Sequence, residues 1–374
     1  MIISVKELSA GSKLAKDVFT EYGSVLLSKE HVMLPRDIEI LQAFLIDEVE
    51  IVTEGQGHSN KGRVNEAPAK TSTDSNSSSS ATQGSLSDKA GVTVAKTLSF
   101  DQQYDKMINH IKSAFQTVLV SDLSIYELRA QLESMLEQID RYNVITFTPS
   151  SMKESEYVYH NAVLTALTSY CLAQWIGLPQ KDWIQVAFAG LFHDIGNSKV
   201  DPAVIHKPSP LNEEELHEMR QHTTYGYQLL KNVKGINEGV RLAALQHHEK
   251  VDGSGYPLHL KESQTHIYAR IVSVADIFHA MTLHKTYRKA QSPYLVLEQI
   301  QSEAFGKLDP SIVRIFISKV TQLSNGTKVR LNDQRVGEII FADRDHPTRP
   351  MVNLGDEIIN LVQRLDLHIE DIIV

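Results

Sequence analysis

The feature that most limits how this chain can fold is the run from Glu54 to Leu98, where apolar residues thin out. Ser, Thr, Asn, Gly and Lys dominate it, and it includes Ser77-Ser78-Ser79-Ser80. Ordering such a backbone costs roughly 1–2 kcal/mol per residue, and too little side-chain surface can be buried in return. Residues 54–98 therefore read as a flexible Ser/Thr-rich linker. Whatever folds on either side must build its own core.

Ahead of the linker, residues 1–53 read as a small α+β domain. Residues 14–19 and 24–27 look like strands around a Glu21-Tyr22-Gly23 turn. Pro35 can open a helix through Ile38, Leu41 and Leu45, and residues 48–52 return as a strand. Residues 99–323 are helical in pattern: Met107, Ile111, Ala114, Phe115 and Val118 recur at helical spacing, as do Leu128, Leu132, Met135, Leu136 and Ile139. Further helices are expected over about 155–176 and 183–192, the first ended by Gly177 and Pro179. Residues 324–374 turn β-rich, with a hairpin around Asn332-Asp333-Gln334 and strand-like pieces at 351–354 and 358–361. The expected fold class is α+β, a central all-α helical bundle with small β-rich appendages at both ends.

The bulk numbers exclude more than they assert. At 374 residues, 42% hydrophobic and 22% charged, the composition is that of an ordinary globular protein. No apolar run approaches the ~18–20 residues that cross a bilayer. The start, Met1-Ile2-Ile3-Ser4-Val5, lacks the order of a signal peptide. The single cysteine, Cys171, permits no internal disulfide and reads as a small core residue. These points predict a cytoplasmic protein with no membrane partner. A net charge of −9 argues against a binder of double-stranded nucleic acid. An anionic substrate would need local cations or metals.

Several of the 16 histidines fall beside carboxylates. His193-Asp194 follows the apolar run Ala187-Phe188-Ala189-Gly190-Leu191-Phe192. His222 lies on a helix expected after Pro210. His247-His248-Glu249 leads into Asp252-Gly253-Ser254-Gly255-Tyr256-Pro257, and Asp276 sits within an apolar helical stretch. Taken singly, each has a bland explanation: a surface histidine, a loop pair, an N-cap. Together they form a mixed nitrogen and oxygen donor set that suits Fe, Mn, Ni or Zn better than Ca. A carboxylate on a helix buried on nearly all sides is costly unless paired or metal-bound.

In these motifs, from about Glu156 to Arg288, the sequence resembles the HD-GYP family, a subgroup of the HD phosphohydrolase superfamily. The resemblance rests on His193-Asp194-Ile195-Gly196, Lys207-Pro208, His222 with Gly226, His247-His248-Glu249, the Gly255-Tyr256-Pro257 element and the stretch from Ala269 to Asp276. It implies two or three divalent transition metal ions, Fe or Mn first and Ni or Zn as alternatives. The implied reaction is cleavage of cyclic di-GMP to linear pGpG or GMP. One ion would use His193, Asp194 and Asp276, and the other Asp194, His222, His247 and His248. Tyr256, flanked by Gly255 and Pro257, would shape the substrate pocket. Lys285 and Arg288 would hold phosphates. Besides cyclic di-GMP, a second copy of the chain or a signalling protein is the partner class the resemblance suggests.

Three positions depart from that pattern. Aligning on Tyr157 and Tyr159 puts Asn161 where the family has a histidine ligand, with His160 one residue early. One residue is ~100° around a helix, so His160 cannot simply substitute. Glu156 lies four residues before His160 and shares its face, offering a shifted site for a third ion. Asn197 replaces a phosphate-neutralising lysine, with Lys199 two residues on as a compensating cation. Lys285 replaces an arginine, exchanging a two-pronged clamp for a point charge. These changes raise an alternative, a catalytically silent module that binds cyclic di-GMP or docks a protein.

Overall fold

A computed structural model describes residues 1–19, 25–34, 37–38, 41, 46, 48–52, 98–121, 123–150, 152–284, 290–304, 306–322 and 325–373. The chain divides into two compact units, Met1–Thr97 and Leu98–Val374. No described helix is long and apolar enough to cross a membrane.

In the first unit, β1 (Ile2–Ser4) pairs antiparallel with β4 (Glu48–Glu50), in the register Ile3 to Val49. A second pair joins β2 (Val18–Phe19) to β3 (Val25–Leu27). The strand expected from residue 14 is shorter than its pattern suggests. Lys13 and Leu14 instead make isolated bridges to Val32 and Ile51, and Asp17 turns its carboxylate to the Lys29 amide at 2.5 Å. Leu14, Met33, Leu41 and Val49 form the buried centre. Of the helix expected from Pro35, Asp37, Ile38 and Leu41 are described and helical. The Glu21-Tyr22-Gly23 turn and linker residues 54–97 lie outside the described residues.

The second unit is a helical bundle joined to one sheet. Its first helix, α1 (Phe100–Thr117), opens on a capping box in which Ser99 and Gln102 satisfy each other's backbone amides. Its apolar face buries Tyr104, Met107, Ile111 and Phe115 against the bundle. After α2 (Ile125–Leu136) come α3 (Tyr157–Trp175) and α4 (Gln180–Phe192). α3 is apolar on all sides, which is why it lies at the bundle's centre, against α4 and, further on, α9. The short α5 (Pro202–Ile205) precedes α6 (Glu213–Arg220), α7 (His222–Leu230) and α8 (Glu238–Gln246). The single helix expected after Pro210 is thus two, parted at Gln221. α9 (Ile267–Thr282), α10 (Pro293–Glu303) and α11 (Pro310–Gln322) complete the bundle.

Strands β5 (Lys328–Leu331), β6 (Val336–Phe341), β7 (Met351–Asn353), β8 (Ile358–Asn360) and β9 (Ile369–Ile373) form one antiparallel sheet in the order β8-β7-β6-β5-β9. The expected hairpin between β5 and β6 is present. β9 was not foreseen; it closes beside β5 through pairs such as Val329 with Ile372. Val329, Leu331, Ile339 and Val352 share the helical core. The Ser292 hydroxyl donates to the Ile369 carbonyl at 2.6 Å, and Arg349 reaches Glu298 at 3.0 Å. Helices and sheet therefore share one interior.

Candidate metal centre

The apolar run ending α4 is buried throughout, and this drags His193, at its C-terminus, fully out of solvent. Asp194 then leads into a short 3-10 turn over Ile195–Lys199. Gly196 in that turn lies so close to the first turn of α7 that a Cβ would overlap the His222 carbonyl. Only glycine permits this crossing, and the crossing sets His222 beside Asp194. From the C-terminus of α8 come His247 and His248, and from the middle of α9 comes Asp276.

These side chains converge. Asp194, His222, His247 and His248 each offer a ligand atom within 4.8 Å of the others, a group that could hold a metal ion. Oδ1 of Asp194 lies 3.4 Å from His222 Nε2 and 3.7 Å from His247 Nε2, while its Oδ2 lies 3.5 Å from His193 Nε2. The two oxygens thus face different imidazoles. His193 Nε2 is also 3.3 Å from Asp276 Oδ1.

The rings are aimed from behind. His193 Nδ1 is 2.7 Å from the Gly190 carbonyl, His222 Nδ1 is 2.6 Å from that of Met219, and His247 Nδ1 is 3.1 Å from those of Ala243 and Ala244. A carbonyl accepts only from N–H, so Nδ1 carries a proton in each ring, and where the ring is neutral, as burial keeps His247, Nε2 presents a lone pair. Burial and the neighbouring His248, His193 and His222 push His247 well below the usual imidazole range. Burial and His222 take His248 down to about 3. At His193 burial also lowers the value, but Asp194 and Asp276 outweigh it and raise it to about 9. Burial alone would raise Asp276, yet His193 and the other imidazoles hold it below the usual carboxylate range.

The donor set passes a further test for fit. His193 Nε2 and Asn161 Oδ1 are buried and make no hydrogen bond among the described residues. A buried polar atom left unsatisfied costs about 1–3 kcal/mol, and a cation offered several such atoms removes that cost.

The Gly-Tyr-Pro element forms one wall. Buried Glu249 accepts the Leu258 amide at 2.6 Å and the Leu260 amide at 2.9 Å, fastening the loop beneath His248. Gly255 packs against the backbone of His248, Glu249 and Lys250 where a Cβ would collide. Tyr256 stacks on His248, with ring centroids 4.8 Å apart and 28° between planes. Pro257 follows it directly in the loop.

Other expected residues go elsewhere. Asn161 donates from Nδ2 to Asp276 Oδ1 at 2.7 Å and so touches the centre. His160, one residue earlier, faces α1 instead, its Nδ1 2.9 Å from the Tyr104 hydroxyl. Glu156 pairs with Lys112 at 2.5 Å. Their shared face is turned to α1, so the structure does not gather them with the Asp194 cluster. Among the described residues Asn197 Oδ1 is buried without a hydrogen bond, and Lys199 lies over the Tyr225 ring at 4.8 Å. Lys285 and Arg288 lie outside the described residues.

Sequence reasoning missed Ser273 and Arg220. The Ser273 hydroxyl bonds the His247 carbonyl, tying α9 to the end of α8; its place three residues before Asp276, on the same helix face, was the available clue. Arg220, two residues before His222, places its guanidinium carbon 5.2 Å from the Tyr256 ring centroid.

Residues 144–312 match the family model of the HD domain. Cyclic di-GMP phosphodiesterase PA4108 of Pseudomonas aeruginosa is 31% identical over 185 residues, covering 50% of this chain and 44% of its own. The 3'3'-cGAMP-specific phosphodiesterase 2 of Vibrio cholerae is 27% identical, covering 50% of this chain and 40% of its own. Among solved structures, Bd1817, a HDG"Y"P protein from Bdellovibrio bacteriovorus, aligns over 84% of this chain and 97% of its own, with a TM-score of 0.48 and 14% identity. The chain spans less than about half the length of the two curated relatives. Residues 144–312 thus match an HD domain, and they carry His193-Asp194, the histidines that follow and the Gly255-Tyr256-Pro257 element on which the resemblance to HD-GYP proteins rests.

Proposed function

We propose that this chain is a metal-dependent phosphodiesterase of cyclic dinucleotides, with cyclic di-GMP as its first substrate and linear pGpG and/or GMP as products. The observation that carries the reading is the meeting of Asp194, His222, His247 and His248 within 4.8 Å. The names of the curated relatives supply the substrate class.

His193, Asp194 and Asp276 would hold one divalent ion, and Asp194, His222, His247 and His248 a second. Bound there, the pair supplies an activated water and positive charge against the phosphate. The chain's own contribution is placement. Helix carbonyls behind Nδ1 keep three imidazoles aimed inward, and the Ile195–Lys199 turn holds the Asp194 oxygens between them. Burial, then Asp194 and Asp276, push the Tyr256 hydroxyl upward, so it stays protonated at neutral pH and can donate to a phosphate oxygen.

The test is to quantify Fe, Mn, Ni and Zn in the purified protein and follow cyclic di-GMP turnover with and without each ion. Asp194→Ala should remove both bound metal and turnover; turnover surviving in that variant rules the mechanism out. A second reading, a silent cyclic di-GMP receptor, draws support from Asn161, whose amide occupies an Asp276 oxygen, and from Asn197 in place of lysine. Tight nucleotide binding with no turnover at any metal loading would favour it.

A further inference from the structure

Arg220 closes α6 with its side chain exposed, and among the described residues its guanidinium has no carboxylate at ion-pair distance. A cation at a helix C-terminus is favourable with the helix dipole alone, which would explain its presence but not its direction. It leans sideways, 5.2 Å over the Tyr256 ring. Tyr256 in turn stacks on His248. The Tyr256 ring thus contacts both His248 of the metal-ligating cluster and the Arg220 guanidinium. A guanidinium that meets a ring and no carboxylate keeps its N–H donors for another acceptor, and their fork matches a phosphate.

The surroundings leave a place for such a fork. Asn197 brings no charge where the family resemblance implies a lysine, and Lys199 is directed onto Tyr225. A cyclic dinucleotide carries two phosphodiesters in one ring. When one lies at the cluster, the other must lie away from it, and Tyr256 is the ring that links the cluster to Arg220.

We propose that Arg220 is a substrate-binding residue that clamps the uncleaved phosphate of a cyclic dinucleotide, its guanidinium pre-positioned by the Tyr256 ring. The proposal rests on the phosphodiesterase reading above and deepens it. It predicts discrimination: a substrate with a single phosphodiester cannot use Arg220, whereas a cyclic dinucleotide can.

The experiment compares wild type, Arg220→Gln and Arg220→Lys, all metal-loaded, on cyclic di-GMP and on bis(p-nitrophenyl) phosphate, with cyclic di-GMP affinity measured by calorimetry. Loss of one charge-assisted contact should raise KM for cyclic di-GMP about 10- to 100-fold, with kcat moving much less. The loss on bis(p-nitrophenyl) phosphate should be at least tenfold smaller, and lysine should restore part of the difference. Equal losses on both substrates, or no change in cyclic di-GMP affinity, overturn the proposal. Metal content measured in the same samples exposes a variant that has merely damaged the centre. If wild type turns over neither substrate, the phosphodiesterase reading fails. In that case weaker cyclic di-GMP binding by Arg220→Gln still supports the clamp, and absence of nucleotide binding by wild type refutes it.

Discussion

Replacing Gly196 with alanine adds one methyl group and should disable the metal centre. The added Cβ would sit 2.8 Å from the His222 carbonyl carbon and 2.5 Å from the Gly226 amide nitrogen, against about 3.5–4.0 Å for a comfortable contact. Both neighbours are backbone, so no side chain can swing away. The tightest overlap is with the His222 carbonyl oxygen, so the turn carrying Asp194 and the first turn of α7 must part by more than about 1 Å. Ligand distances tolerate only about 0.2 Å, so Asp194 and His222 should no longer serve the same ion. The overlap itself should cost about 1–3 kcal/mol, as overpacking of a close-packed interior does. Gly226→Ala is the built-in control, because its Cβ would meet the Ala244 methyl at 3.3 Å and the Gly196 nitrogen at 3.5 Å. That milder crowding should cost under about 1.5 kcal/mol and leave bound metal near the wild-type level. Metal content by mass spectrometry and Tm by calorimetry give the two readouts. If Gly196→Ala retains full metal and an unchanged Tm, the account of how this turn builds the centre is wrong.

Asn161→His should put an imidazole beside Asp276 and slow metal loss to a chelator; equal or faster loss would show that this face of α3 does not serve the centre. His279 is fully buried against the Thr168 and Tyr142 hydroxyls, and burial lowers it to about 3. The unfolded chain binds a proton near pH 6.5 and the folded one does not, so stability present above that pH falls as pH drops toward 3, by up to about 1.4 kcal/mol per pH unit. His279→Gln should flatten that acid limb in denaturation curves measured between about pH 6.5 and 4.5, and an unaltered slope would place the pH dependence elsewhere. Glu249→Gln should loosen the Gly-Tyr-Pro loop by weakening its bonds to the Leu258 and Leu260 amides, read as faster amide exchange there with metal content retained.

The residue string by itself determined the helical bundle, because α1 and its successors carry apolar residues at helical spacing that can be buried only against one another. It also determined which groups could carry chemistry, since imidazoles and carboxylates inside apolar segments have few inexpensive fates. Tertiary packing decided the rest. Asn161 and His160 are adjacent in sequence, yet the ~100° between them sends one to Asp276 and the other to Tyr104, and only the position of α1 and α9 around α3 chooses which. β9 was unreadable locally because its pairing partners in β5 lie 38 to 45 residues earlier, and a strand exists only where a partner accepts its hydrogen bonds. No local pattern singles out Arg220; its contact with Tyr256 exists only because the Gly255-Tyr256-Pro257 loop folds beside it. Local pattern records what a segment can bury; which neighbour it is buried against depends on contacts between residues far apart in the chain.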